Sequence, residues 1–357
     1  MKVIEAAPNV LVIDAFEAKD FLFLERYSKT CILTDENTKA HCYPLIKDFL
    51  PSDHVLLTVQ SGEENKNLST CEQIWQFLTD NNFDRKGILV NLGGGVIGDM
   101  GGFCAATYKR GIDFVQVPTS LLSQVDASVG GKLGIDFKGF KNHIGVFKMP
   151  KKVLVYPAFL NTLPKREIIS GYAEVIKHAL IKDASHWDTL KKNTDIEQLD
   201  WHQIIPHSIE IKNAVVEDDP FEKGIRKILN FGHTVGHAIE SYFLESEKEK
   251  LFHGEAIAIG MVCEAYIAYR KKLINEATFN EIAQYLLKVY PAASITKQDI
   301  EKITPLTLQD KKNTKGTINA SLLETTGKAL YDQPISFQEI KESMEKYNEL
   351  VMVEAKS

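Results

Sequence analysis

Four side chains in the second half of the chain are of types that bind transition metals. His233 and His237 in FGHTVGH are four residues apart, so on a helix they share one face and could reach one ion. His253 follows in FHGEAIAIG, and Glu174 in GYAEVIKHAL offers a carboxylate oxygen. Histidine and carboxylate ligands with an open position are typical of catalytic zinc, whereas structural zinc sites are usually closed by cysteines. The alternative is a set of ordinary helix histidines. HTVGH also lacks the glutamate of H-E-x-x-H, which argues against peptidase chemistry.

A second group consists of cations beside glycine, asparagine or acidic residues. Most lysines of a protein face solvent, but these stand in settings that suggest a binding role. Gathered around a metal, they would hold a substrate with two anionic ends, such as a carboxylate and a phosphate. The group comprises Lys132 in VGGK, Lys141 with Asn142 in FKNHIG, Lys177 in EVIKH, Lys212 in EIKN, and Arg226 with Asn230 in GIRKILN.

A glycine turn in the first half has the features of a phosphate cradle. The β-branched run at residues 88–92 stops at Gly93, and a helical pattern resumes after Asp99. Glycines let backbone N–H groups approach an anion, and a helix N-terminus adds unsatisfied donors. Gly93, Gly95 and Gly98 match the dinucleotide spacing G-x-G-x-x-G, although a tight turn of any α/β protein can do so. The turn follows a later strand, so we expect a non-standard dinucleotide site in which Asp113 does not bind the ribose.

The elements that must position these residues change in type about halfway along the chain. Short β-rich runs alternate with helical stretches first, which predicts a parallel sheet with helices on both faces. The runs lie at 31–34, 55–59, 88–92, 114–117 and 153–156, with a helix at 68–81. After Pro164, helical patterns cover 168–182, 204–216, 231–244, 254–272 and 279–290. The sequence therefore predicts an α/β fold, with an N-terminal Rossmann-like parallel-sheet domain at 1–160 and a mainly α-helical metal-binding domain at 161–357.

Composition excludes several classes of function. A length of 357 residues suits two domains. The 42 Lys+Arg against 48 Asp+Glu leave a net charge of −6, which provides no basic field for nucleic acid. No apolar run reaches the roughly 18 residues of a membrane span, and the N-terminus lacks a signal-peptide design, so we expect a cytoplasmic protein. The five cysteines form no C-x-x-C pair and are expected to be reduced and mostly buried.

Six motifs closely resemble those of the 3-dehydroquinate synthases, within the sugar phosphate cyclase superfamily. They are GGGVIGDMGGF, VPTSLLSQVDASVGGK, KNHIGVF, GYAEVIKHALI, LNFGHTVGHAIES and HGEAIAIGM. The resemblance implies a homodimeric enzyme with NAD and Zn2+ or Co2+, and an active site between its two domains. The implied reaction converts 3-deoxy-D-arabino-heptulosonate 7-phosphate into 3-dehydroquinate and phosphate. It proceeds by transient oxidation with NAD, β-elimination, reduction and intramolecular aldol closure.

The resemblance also assigns roles to residues. The metal ligands would be Glu174, His233 and His253, with His237 handling substrate and protons; spacing alone would have made His237 a ligand. NAD would be bound by Asp35, Asn37, Glu63, Lys66, Gly94, Gly95, Val96, Gly98, Asp99, Thr119, Ser120, Asp126, Lys132, Lys141 and Thr162. Substrate would be bound by Asp126, Lys132, Asn142, Lys177, Lys212, Arg226, Asn230 and Lys311. Arg110 in YKRG resembles an arginine that reaches the phosphate across the dimer.

Two alternatives and one departure accompany the resemblance. The chain could be another sugar phosphate cyclase, of the 2-deoxy-scyllo-inosose or 2-epi-5-epi-valiolone synthase type, whose substrate lacks a carboxylate. It could also be an oxidoreductase similar to glycerol dehydrogenase, which would accumulate NADH. Leu133 stands where the family has a small polar residue after VGGK, so the packing near Lys132 could differ.

Overall fold

The computed structural model of the chain describes residues 3–138, 140–246, 248–309 and 318–354. The chain divides into two units, which we call the sheet unit and the helical unit. The sheet unit comprises Met1–Ile168 with Trp201–Asn213, and the helical unit comprises Ile169–Asp200 with Ala214–Ser357. The sequence placed the boundary between residues 160 and 161, whereas the chain passes between the two units at 168/169, 200/201 and 213/214. The first and last of these points lie within helices.

The described residues of the sheet unit form nine strands. They are β1 (Val3–Ala7), β2 (Val10–Ile13), β3 (Thr30–Asp35), β4 (Val55–Val59), β5 (Ile88–Gly93), β6 (Asp113–Pro118), β7 (Lys132–Phe137), β8 (Phe140–Phe147) and β9 (Lys152–Val155). Seven of them form one sheet in the order β1-β2-β9-β6-β5-β3-β4, parallel throughout except for the antiparallel pair β1 and β2. Strands β7 and β8 form a separate antiparallel hairpin. The predicted parallel sheet is confirmed.

Burial explains which strands could be predicted from the sequence. Every residue of β5, ILVNLG, is buried, as expected for a central strand covered on both faces. The five predicted runs correspond to β3, β4, β5, β6 and β9. Strands β1 and β2, an antiparallel pair at one side of the sheet, were not predicted. The β7–β8 hairpin was not predicted because β8 mixes exposed and half-buried residues, with polar Lys141, Asn142 and His143 among them.

Four helices accompany the strands of the sheet unit before residue 150. They are α1 (Ala18–Phe21), α2 (Glu36–His41), α3 (Leu68–Asp80) and α4 (Gly95–Thr107). The predicted start of α4 after Asp99 is wrong, since α4 begins at Gly95 with Gly94 as its N-cap residue. Glycine disfavours a helix by propensity, so the sequence pattern suggested a later start. Tertiary packing overrides that preference.

The glycines of α4 serve close packing. A Cβ on Gly101 would lie 2.1 Å from Oδ1 of Asn91 on β5. A Cβ on Gly102 would lie 2.4 Å from Cδ2 of Leu133 on β7. Leu133, the residue that departs from the family pattern, is buried and fills the space over Gly102. These contacts hold α4 directly against the strand that precedes it, so its first turn has a defined position at the end of β5.

The helical unit consists of long helices and one hairpin. The remaining helices of the chain are α5 (Lys165–Lys182), α6 (Ala184–Leu190), α7 (Trp201–Asp218), α8 (His233–Glu245), α9 (His253–Arg270), α10 (Glu276–Val289), α11 (Lys297–Leu306) and α12 (Phe337–Glu354). The hairpin pairs β10 (Ile318–Thr325) with β11 (Lys328–Ile335) in antiparallel register. The prediction of a mainly helical second half is confirmed, whereas the hairpin was not predicted.

Glycines bring α5, α8 and α9 close together. A Cβ on Gly260 of α9 would lie 1.9 Å from the carbonyl oxygen of Gly232, and one on Gly254 would lie 1.8 Å from the carbonyl oxygen of Ser170 on α5. Gly236 of α8 has somewhat more room, with Cδ1 of Ile257 at 2.9 Å and Ala256 O at 3.0 Å from its hypothetical Cβ. No other residue type fits at the tightest of these contacts. The packing therefore brings together the backbones that carry Glu174, His233 and His253.

Two further expectations concern the whole chain. All five cysteines are free and buried, as predicted. Within the described ranges, no helix combines the length and the apolar content that crossing a membrane would require.

Candidate active site

The helical unit brings Glu174, His233 and His253 together. Each offers one ligand atom, and the three atoms all lie within 4.8 Å of one another. Oε1 of Glu174 is 3.5 Å from Nε2 of His233 and 3.7 Å from Nε2 of His253. Glu174 is fully buried and His233 is nearly so. Two imidazoles and a carboxylate that converge in this way have the donor set of a catalytic zinc or cobalt site.

The second ring nitrogens of the two histidines have partners in the protein. Nδ1 of His233 is 3.2 Å from the carbonyl oxygen of Phe231, and Nδ1 of His253 is 3.4 Å from Oε2 of Glu240. A carbonyl and an ionised carboxylate can only accept a hydrogen bond. In both rings Nδ1 therefore carries a proton, and Nε2 is the nitrogen that faces Glu174.

Charged groups of opposite sign lie in contact around Glu174 and His253. Oε2 of Glu174 accepts a hydrogen bond from Nζ of Lys177, which lies one helical turn further along α5 and is 2% exposed. Burial alone would lower the pKa of His253, but the carboxylates of Glu240 and Glu174 raise it to about 9. An imidazole must lose its second proton to bind a metal, so a divalent ion would replace a proton in this cluster.

His237 is exposed and lies next to the other two rings. Its centroid is 4.9 Å from that of His233 and 5.9 Å from that of His253. His237, Glu240 and His253 also form a group whose ligand atoms lie within 4.8 Å of one another. The structure thus offers His237 two roles, as a ligand with Glu240 or as a base that lies beside the first group without being one of its ligands.

The segment before α8 presents Arg226 and Asn230. Both lie in a 3-10 helix, Ile225–Asn230. Arg226 is 1% exposed, and its Nη1 donates to the carbonyl oxygen of Pro220 at 2.6 Å. Asp219 accepts the backbone N–H groups of Lys223, Gly224 and Arg226. Burial alone would raise the pKa of Asp219, but these hydrogen bonds lower it. Asp219 therefore fixes the turn that aims the guanidinium.

The sheet unit gathers the predicted NAD residues at one edge. Parallel strands end at the same edge of a sheet, where ligands of open α/β folds bind. Asp35 and Asn37 follow β3, Glu63 and Lys66 follow β4, residues 94–99 follow β5, Thr119 and Ser120 follow β6, and Thr162 follows β9. In each case the predicted residues come within a few positions of the carboxyl end of a strand.

The glycine turn at the end of β5 leaves the first turn of α4 open. The N-cap residue Gly94 has no side chain to cap the helix. A Cβ on Gly94 would come no nearer than 3.4 Å to Oγ of Ser120, and one on Gly95 no nearer than 3.6 Å to Ala127. An anion could therefore approach the N–H groups at the start of α4.

A polar network links three of the predicted residues. Nζ of Lys66 donates to Oδ2 of Asp99 and to Oδ1 of Asn142, both at 2.7 Å. Burial raises the pKa of the Asp99 carboxyl, and the Lys66 ammonium opposes that rise. The backbone N–H of Asn142, which has a φ of 49°, donates to Oδ1 of Asp136 at 2.7 Å. The network ties the β7–β8 hairpin to the first turns of α4.

A second ion pair joins Asp126 to Lys212, which stands on the part of α7 that belongs to the sheet unit. Nζ of Lys212 is 2.8 Å from Oδ1 of Asp126 and also donates to the backbone carbonyl of that residue. Lys212 is 5% exposed. Lys132 is exposed at the start of β7, and Nζ of Lys141 lies 3.7 Å from Oε1 of Glu63.

The remaining predicted residues stand apart. Arg110 is exposed in a turn where Lys109, Arg110 and Gly111 all have positive φ, at 49°, 69° and 112°. Lys311 lies outside the described residues.

A surface cavity of about 310 Å³ lies at the amino end of β3, lined by residues such as Tyr27, Lys29 and Asp53. None of the predicted site residues lines it.

Four acidic residues of the helical unit were missed by the sequence analysis. Asp219 holds the Arg226 turn, and Glu222, at a φ of 57°, accepts a hydrogen bond from Nδ2 of Asn230 at 2.9 Å. Glu240 contacts His253, and Glu264 accepts the backbone N–H groups of Gly232 and Val235. For Glu240 a signal existed, because it follows His237 by three residues and His233 by seven on one helical face.

Comparison with known proteins gives consistent matches along most of the chain. Family models described as 3-dehydroquinate synthase N-terminal and 3-dehydroquinate synthase C-terminal match residues 56–170 and 171–313. A 3-dehydroquinate synthase of Parabacteroides distasonis is 40% identical over 338 residues, which cover 93% of this chain and 95% of that protein.

Two solved structures have a similar fold. One is a 2-deoxy-scyllo-inosose synthase complexed with carbaglucose-6-phosphate, NAD+ and Co2+; it has a TM-score of 0.80 and 24% identity, over 96% of this chain and 98% of that one. The other is the 2-epi-5-epi-valiolone synthase of Streptomyces hygroscopicus subsp. jinggangensis with NAD+ and Zn2+ bound; it has a TM-score of 0.83 and 23% identity, over 98% of this chain and 99% of that one. At these identities the likeness concerns the fold alone.

Proposed function

Because the chain belongs to the 3-dehydroquinate synthase family, we propose that it converts 3-deoxy-D-arabino-heptulosonate 7-phosphate into 3-dehydroquinate and phosphate. The enzyme would be a carbon–oxygen lyase that uses NAD and a divalent metal. Sugar phosphate cyclases with other substrates share the fold, so the fold does not choose among them. The 40% identity to a 3-dehydroquinate synthase favours the substrate that bears a carboxylate.

The observation that carries the proposal is the convergence of Glu174, His233 and His253. Their ligand atoms lie within 4.8 Å of one another, and both histidines direct Nε2 toward the carboxylate. This donor set fits Zn2+ or Co2+. When bound, the ion would supply Lewis acidity toward a substrate hydroxyl, and NAD+ would supply a hydride acceptor.

The sheet unit supplies the residues that would hold NAD. The open first turn of α4 suits the pyrophosphate, since Gly94 and Gly95 place no side chain over the backbone N–H groups. Glu63, Lys66 and Asp99, with the other predicted residues at the carboxyl edge, would bind the rest of the cofactor. Because the implied cycle returns its hydride in each turnover, tight retention of NAD costs the enzyme nothing in rate.

Buried cations would hold the anionic substrate. Arg226, Lys177 and Lys212 are all buried. Each already has an oxygen partner, so its direction is fixed before substrate binds. The amide of Asn230 and the exposed Lys132 and Asn142 would add hydrogen bonds, as would Lys311, and Asp126 would orient Lys212.

His237 is the residue best suited to move a proton. It is exposed, and it lies beside His233 on the same face of α8. An imidazole can accept and return a proton near neutral pH. In the proposed cycle it would take a proton from the substrate and return it, while the hydrogen bond from Lys177 holds the Glu174 carboxylate in place.

We also infer a homodimer in which Arg110 reaches the phosphate of the partner's substrate. Three successive residues with positive φ hold this arginine in an exposed position. Such backbone conformations are costly for Lys109 and Arg110 and persist mainly where they serve a purpose.

A single assay tests the proposed reaction. The metal-loaded protein is incubated with NAD and the heptulosonate phosphate, while phosphate release and NADH absorbance are followed together. Release of phosphate without accumulation of NADH supports the cyclase. Accumulation of NADH indicates an oxidoreductase, and release from glucose 6-phosphate but not from the heptulosonate indicates a different cyclase. The variant His253→Ala, which lacks one proposed ligand, serves as the inactive control.

A further inference from the structure

We propose that Glu240 is a positioning residue that sets the orientation and metal affinity of His253. The inference rests on the proposed function only in assuming that Glu174, His233 and His253 bind a metal. Nδ1 of His253 is 3.4 Å from Oε2 of Glu240, whereas Nε2 of the same ring is 3.7 Å from Oε1 of Glu174. The two carboxylates thus face opposite nitrogens of one imidazole.

The contact connects two helices. Glu240 stands on α8 and His253 is the first residue of α9. The His253 ring lies between the carboxylates of Glu240 and Glu174, so these contacts define its direction. His233, by comparison, directs its Nδ1 to the carbonyl oxygen of Phe231, two residues earlier on its own chain segment. The Nδ1 contact of His253 is therefore made by a side chain of another helix, whereas this contact of His233 is made by the backbone nearby.

Burial supports a specific role for the Glu240 carboxylate. The residue is only 5% exposed. A carboxylate removed from water is costly unless hydrogen bonds or opposite charge compensate. The His253 imidazole is one such partner, and the carboxylate in turn holds the Nδ1 proton and makes Nε2 a stronger donor toward a metal.

A direct ligand role for Glu240 fits the geometry less well. The group of His237, Glu240 and His253 could hold an ion, but Glu240 contacts His253 through Nδ1, at 3.4 Å. An ion held through Nε2 beside the fully buried Glu174 leaves Nδ1 free to donate to Glu240. One ion cannot bind both nitrogens of the same ring, so the two arrangements exclude each other at His253.

The test measures metal affinity and not turnover. Apo protein, Glu240→Ala, Glu240→Gln and the control Tyr285→Phe are titrated with Zn2+ or Co2+ against a chelator. Tyr285 shares a buried hydrogen bond with Tyr172 at 2.8 Å in the same unit, so its variant reports what a buried polar defect does by itself. Thermal unfolding of each apo variant shows that it is folded.

The expected result is one metal ion per chain in every variant, with a dissociation constant raised about 10- to 100-fold by Glu240→Ala. Glu240→Gln should show a smaller rise because its amide oxygen can still accept from Nδ1, and Tyr285→Phe should show none. An unchanged constant in both Glu240 variants would overturn the inference. Complete loss of the ion at saturating metal would also overturn it, by making Glu240 a ligand.

The same titration separates this inference from the proposed function. If the unaltered protein binds no metal, the proposed site itself fails. If it binds one ion and the Glu240 variants bind equally well, only the role of Glu240 fails.

Discussion

A carboxylate from another helix caps the N-terminus of α8, and removal of this carboxylate should lower the free energy of unfolding. Glu264 of α9 is fully buried. Its Oε2 accepts the backbone N–H of Gly232 at 2.7 Å, and its Oε1 accepts that of Val235 at 3.0 Å. The N-cap residue Gly232 has a φ of 83° and no side chain, so Glu264 acts in place of the usual cap.

The expected magnitude follows from these two bonds. A hydrogen bond to a charged group contributes roughly 1.5–3 kcal/mol, so Glu264→Ala should lower the free energy of unfolding by roughly 3–6 kcal/mol. Glu264→Gln keeps one acceptor oxygen and should lower the free energy of unfolding by about half as much. Because His233 is the first residue of α8, both variants should also bind metal more weakly than the unaltered protein.

The assay is urea unfolding of the metal-free protein, followed by circular dichroism. Glu345→Gln, an exposed glutamate on α12, is the matched control and should change the free energy of unfolding by less than about 0.5 kcal/mol. A loss of stability in Glu264→Ala no larger than that of the control would refute the capping argument. A loss equal in the Gln and Ala variants would show that charge, and not the pair of bonds, is what matters.

Three further predictions concern other parts of the chain. Burial alone would raise the pKa of Asp299, but hydrogen bonds, including one from Lys248, lower it below its usual value of 3.8. The ionised Asp299 therefore stabilises the fold above pH 3.8, and this contribution is lost as the pH falls below that value. Asp299→Asn should therefore flatten the acid side of a stability profile below about pH 4. Gly101→Ala should destabilise by about 1–3 kcal/mol in urea unfolding, because its Cβ would overlap Asn91; unchanged stability would contradict the packing. Arg226→Ala should weaken use of the sugar phosphate while calorimetry shows NAD binding intact, and an equal loss of NAD affinity would count against its role.

Much of the sheet unit could be predicted because its central strands are covered on both faces. Such strands appear in a sequence as uninterrupted apolar runs, as in β5. The start of α4 could not be predicted, because helix propensity penalises Gly95 while the packing of Gly101 against Asn91 is a tertiary effect. The β10–β11 hairpin was missed because it lies among long helical patterns.

The candidate site shows a similar division. Spacing identified His233 and His237 as neighbours on one helix face, which the structure bears out. Spacing alone could not predict that Glu174 and His253 lie beside His233, since their approach depends on the glycine contacts among α5, α8 and α9. The family motifs supplied the expectation that these three residues share one ion. Glu264 carries no sequence signal, because an acid inside a helix usually faces solvent.

The central claim, one ion shared by Glu174, His233 and His253, is tested most directly by anomalous diffraction from crystals of the zinc-loaded protein. The account predicts one peak per chain, about 2.0–2.2 Å from Nε2 of each histidine and from a carboxylate oxygen of Glu174. Glu240 should contact Nδ1 of His253 and not the ion. A peak held instead by His237 and Glu240, or the absence of any peak in this cluster, would contradict the account.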